Sequence, residues 1–93
     1  MEIINYLGER LAEKINISSP AGRGLLKLSI KDELGPFKEL NQIRYKELEN
    51  IINNSLKERL IGLGISDHGE VLKYLLEELN ANQSLITIGG VSL

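Results

Sequence analysis
Apolar residues recur at three- and four-residue steps along most of this 93-residue chain. That spacing places them on one face of an α-helix. Ile3, Ile4, Leu7, Leu11 and Ile15 form the first such face and predict a helix over residues 2–15. Gly8 in its middle weakens the helix by about 1 kcal/mol relative to alanine, so tertiary packing has to hold it. Asn16 suits the left-handed conformation that ends a helix. Ser18-Ser19-Pro20 then supplies a serine cap with proline at the first helical position, and Leu34-Gly35-Pro36 supplies a stop. A second helix is expected over residues 19–34. Ala21, Leu25 and Leu28 make one helical row on it, and Leu26, Ile30 and Leu34 make another. Two apolar rows predict a largely buried helix at the centre of a bundle. Leu26, Leu28 and Ile30 also alternate as in a strand. An α+β alternative follows, with residues 25–31 as a strand paired to residues 85–88.

Phe37, Leu40, Leu48, Ile51 and Ile52 predict a third helix over residues 37–63, which Leu56, Leu60 and Leu63 continue at a rotated angle. Asn53-Asn54-Ser55, three weak helix formers, sit where the face turns and predict a bend or break. Gly62 and Gly64 are expected to cap its end. A fourth helix is expected over residues 67–80, with Val71, Leu72, Leu75, Leu76 and Leu79 inward. Asp67 and Glu70 have the spacing of a capping box. The tail, residues 84–93, alternates and contains Gly89-Gly90, as in a small hairpin, a strand added to a partner, or an irregular end. The expected fold is an all-α single domain over residues 1–93. It is a compact four-helix bundle with a short irregular or β-like C-terminal tail.

Composition narrows the chemistry more than the fold. The 42 % of apolar residues suffices for one core. With no cysteine there is no disulfide framework or thiolate metal site, and the single His68 leaves no histidine pair to bind metal. No apolar run approaches the ~20 residues that span a bilayer, and the N-terminal segment lacks a basic leader region. A cytoplasmic chain without membrane association is expected. The net charge is −2, with five basic and five acidic residues in positions 1–35 and six against eight in positions 36–93. That balance disfavours a general nucleic-acid binder, which is usually basic.

Residues 11–28 nevertheless resemble a helix-turn-helix. Ala12 is the small residue of the first helix, Asn16 stands at the turn and Ile17 follows as the apolar residue. Gly22 departs from the pattern, because that position normally buries a side chain between the helices. Gly22 and Gly24 also loosen a helix that should be rigid in the major groove. Arg23, Lys27 and Lys31 recur every four residues as one basic stripe. The resemblance implies an arginine at guanine edges and lysines on phosphates, with Ser18 and Ser19 completing the DNA-contact set at the helix start. A helix-turn-helix DNA-binding regulator using residues 11–31 is therefore the alternative function.

Other constellations have plainer explanations. Ser19-Pro20-Ala21-Gly22-Arg23-Gly24 has the small residues of an anion-cradling helix start, yet no complete phosphate-loop pattern accompanies it. Ser66, Asp67 and His68 are too close in sequence for a catalytic relay. Asp32-Glu33 and Glu77-Glu78 are neighbours that diverge by about 100° around a helix. Tyr6, Tyr45 and Tyr74 fall one to a helix and form no stacking platform. The expected function is a small non-enzymatic interaction domain, with no cofactor and no metal. It would bind another protein or itself, as a homodimer through the apolar C-terminal tail.

Overall fold
The face formed by Ile3, Ile4, Leu7 and Leu11 is buried in the computed structural model, which describes residues 3–83. Helix α1 spans Ile3–Ile15, α2 Ser19–Leu34, α3 Tyr45–Ile51, α4 Lys57–Gly62 and α5 His68–Ala81. A π turn, Ile52–Leu56, joins α3 to α4. Ile51, Ile52, Leu56 and Lys57 all keep helical dihedrals, so α3, the π turn and α4 form one rod. Four rods thus surround one core, to which every one of these helices contributes. No helix among the described residues is long and apolar enough to cross a membrane.

Local chemistry accounts for the boundaries. The Ser18 hydroxyl accepts from the Ala21 amide at 3.2 Å and opens α2 at the expected place. Asn16 adopts φ 60°, and the Ile17 amide donates to the Ala12 carbonyl at 3.0 Å. That six-residue closure is one half of a Schellman turn. The same device ends α4. Gly64 takes φ 77°, Ile65 N–H donates to Leu60 O, and Gly64 N–H donates to Ile61 O. Gly64 alone fills the left-handed position, while Gly62 is the last residue of α4.

Four expectations are corrected. Residues 25–31 are helical throughout, so the α+β alternative fails. The helical step buries Leu26, Ser29 and Ile30 together and leaves Ala21 and Leu28 exposed, so α2 buries one face and is not the largely buried central helix that two apolar rows predicted. The third helix begins at Tyr45 rather than at residue 37. Glu39 and Ile43 are extended around a short 3₁₀ turn, Leu40–Gln42. The Glu47 carboxylate then accepts from the Arg44 amide at 2.9 Å and sets the helix start eight residues later. Burial of Ile43 pins this connection to the core. Fourth, Asp67 caps α5 only with its backbone carbonyl, and its side chain makes no capping bond. The proposed tail strand lies outside the described residues.

Helices α1 and α2 pack most intimately, and glycine is the reason. Gly8 faces the Arg23 backbone, and Gly22 faces Gly8 and Ala12. Two helix backbones meet there with only a methyl group between them. The Arg23 guanidinium reaches back across the seam to Glu9 at 3.3 Å. The rod lies against the other end of α2, where Arg59 grips Asp32 through two hydrogen bonds of 2.6 and 3.1 Å. Ser55 in the π turn donates to Glu33 at 2.6 Å beside it.

Candidate functional site
Gly35, at φ 87°, turns the chain out of α2, and the connection over residues 36–41 then passes alongside that helix. An open groove of about 620 Å³ lies between them. Ile30, Pro36 and Leu40 provide its apolar surface. Lys27 and Lys31 stand on the α2 side, and Lys38, Glu39 and Asn41 on the connection side. Lys38 is held 3.6 Å from Glu47. Lys27 and Lys31 have no carboxylate within 4.0 Å among the described residues. Phe37 lies between two lining residues and is 94 % exposed.

The structure separates the residues that the helix-turn-helix resemblance grouped. Ser18 is the α2 cap and Ser19 the first residue of that helix, both exposed. Arg23 is committed to Glu9 across the α1–α2 seam. Lys27 and Lys31 instead face the groove. Gly22, the departure from the motif, is the point of closest approach of the two helices, so the usual buried side chain has no space. The same contact removes the anion-cradle idea for residues 19–24. Gly22 is buried, and its amide donates to the Ser18 carbonyl at 2.9 Å.

Sequence reasoning missed Lys38, Glu39 and Asn41 as site residues, because residues 37–44 read as helix. The Lys27–Lys31 step was visible. The opposite wall was not, since it depends on where the connection passes.

Elsewhere, polar chemistry fastens helices together. Tyr6 donates to the Glu78 carboxylate, and this bond, together with burial, holds its phenol above the ordinary tyrosine pKa. Lys14 lies 4.4 Å from the centre of the Tyr74 ring, a cation–π contact between α1 and α5. The bond from Arg59 holds Asp32 below the usual carboxylate range. His68 Nδ1 sits 3.0 Å from the Ile65 carbonyl, which can only accept, so this nitrogen carries the proton. Among the described residues no three acidic or histidine side chains gather as a metal site.

Comparison with protein-family models, with curated proteins and with solved structures finds no match to this chain. The groove's lining combines Lys27, Lys31, Lys38 and Glu39 with Asn41 and the apolar Ile30, Pro36 and Leu40. It sets positive charge beside an apolar surface.

Proposed function
We propose that this chain is a small non-enzymatic interaction domain whose contact surface is the groove between α2 and residues 36–41. The observation that carries this reading is Phe37, an aromatic side chain almost wholly in water between two residues, Pro36 and Lys38, that line that groove. Aromatic anchors beside a pocket are where binding energy concentrates in protein interfaces. A photo-crosslinking amino acid in place of Phe37, introduced in cells, tests it. Discrete adducts are expected from position 37 and none from Lys73, an exposed residue of α5 that does not line the groove. An adduct of twice the chain mass would identify a second copy, with the tail over residues 84–93 as the segment to delete next. Efficient incorporation at position 37 with no adduct would overturn the reading.

DNA binding is the second reading, and one observation favours it. The first turn of α2, Ser18 to Ala21, is exposed at the end that a recognition helix presents to base edges. A mixed duplex should then be shifted in low salt, with affinity falling steeply as salt rises. Loss of that shift on replacing Arg23, Lys27 and Lys31 with alanine would make DNA binding the better account.

A further inference from the structure
We propose that the groove takes an acidic peptide segment bearing an aliphatic side chain, presented by a partner protein. This rests on the interaction-domain reading and names the chemistry of the partner. Lys27 and Lys31 lie one helical turn apart, and like charges at that spacing repel. Lys38 faces them from the other wall, where Glu47 holds it, and Glu39 on that wall leaves the lining with three lysines against one carboxylate. Arg10, Arg23, Lys46 and Arg59 are matched to Glu13, Glu9, Glu49 and Asp32. Lys14, Arg44, Lys57 and Lys73 make no ion pair among the described residues, but none of them lines the groove, whereas Lys27 and Lys31 converge on it. A groove of net positive charge thus stands on a chain of net charge −2. Carboxylates entering between Lys27 and Lys31 relieve their repulsion and gain charge-assisted hydrogen bonds.

The apolar surface sets the second requirement. Ile30, Pro36 and Leu40 form an apolar wall beside the lysines, suited to a leucine or isoleucine next to the acid. Asn41 adds an amide that can pair with the peptide backbone. The volume is in the range of about 300–1,000 Å³ typical of sites for small ligands, so it accepts a few side chains. A duplex requires the opposite shape, a protruding element that enters its major groove. The arginine that would read its bases is held by Glu9.

Fluorescence anisotropy with a short labelled peptide of alternating glutamate and leucine tests the assignment. Saturable binding is expected, weakening as salt rises because the attraction is between exposed charges. Lys27→Glu with Lys31→Glu should weaken it about tenfold or more, equivalent to about 1.4 kcal/mol, with the circular dichroism spectrum unchanged. Lys73→Glu should leave it intact. A lysine–leucine peptide should not bind, and polyglutamate should bind more weakly than the mixed peptide. Equal binding by the double variant overturns the proposal, as does a duplex bound more tightly than the peptide and lost in that variant. Polyglutamate binding as well as the mixed peptide removes the apolar requirement and overturns it too. If the peptide fails while crosslinks from position 37 persist, the acidic assignment falls and the interaction domain stands. If both fail, both fall.

Discussion

A methyl group placed on Gly22 would lie 2.6 Å from the Ala12 Cβ and closer still to the Gly8 carbonyl oxygen. Neither neighbour can step aside, because one is helix backbone and the other is fixed to it. Gly22→Ala therefore has to push α1 and α2 apart, a strain of about 1–3 kcal/mol in a packed interior. Gly24, two residues along the same helix, would meet nothing within 4 Å. Gly24→Ala should instead gain up to about 1 kcal/mol from helix propensity alone. Thermal unfolding should separate the two: a midpoint lowered for Gly22→Ala, and one raised by roughly 4–8 °C for Gly24→Ala. Equal behaviour of both variants would mean that the seam is not tight. In the sequence Gly8 and Gly22 look like separate weaknesses, one inside a helix and one spoiling a motif. Each explains the other once they face across the seam. The legible signal was the small pair Gly8 and Ala12, one helical turn apart, with Gly22 available to meet them.

Among the elements, α2 was legible almost to the residue, because its cap, its proline and its stop are all local. The connection before Tyr45 was not. Phe37 and Leu40 have helical spacing, yet the Glu47 bond to the Arg44 amide and burial of Ile43 decide the start. Both depend on tertiary packing that periodicity cannot see. The groove shares that fate, since one wall is α2 and the other is this connection. The rotated face at Asn53-Asn54-Ser55 was visible, and its physical form is the π turn. Such a turn is a helix carrying one residue too many for the i→i+4 ladder. Leu48 before it, Ile52 and Leu56 at its two ends and Leu60 after it are all buried, so the extra residue keeps both halves facing inward. Deleting exposed Asn54 should return the rod to a regular helix and leave those four inside. Helix content by circular dichroism should hold and the melting midpoint should move little. Deleting Lys73 from regular α5 should rotate Leu75 and Leu79 by about 100° and unfold the protein. A collapse of the Asn54 deletion as complete as that of the Lys73 deletion would contradict this account of the rod.

For the molecule as a whole, the tie between Tyr6 and Glu78 matters because it joins the first described helix to the last. The hydrogen bond to Glu78 raises the Tyr6 pKa in the folded state. The folded chain therefore holds that proton more tightly than the unfolded chain does. The resulting stability is fully present below the unfolded tyrosine pKa of about 10 and is lost as pH rises through the folded value. Urea midpoints should fall in alkali for the parent chain and fall less for Tyr6→Phe. Parallel curves would show that the tie carries no such linkage. Two of the ties that hold α1 also differ in chain entropy. Glu9 and Arg23 are 14 residues apart, whereas Tyr6 and Glu78 are 72 apart. Logarithmic loop scaling makes the longer closure about 1.5 kcal/mol more expensive. The glycine seam therefore belongs to the cheaper of these two closures, a hairpin complete by Leu34. During synthesis that hairpin leaves the ribosome before the rod and α5 exist to cover it. Leu7, Leu11, Leu26 and Ile30 must then wait in water, and the nascent chain is at its stickiest when it is half made.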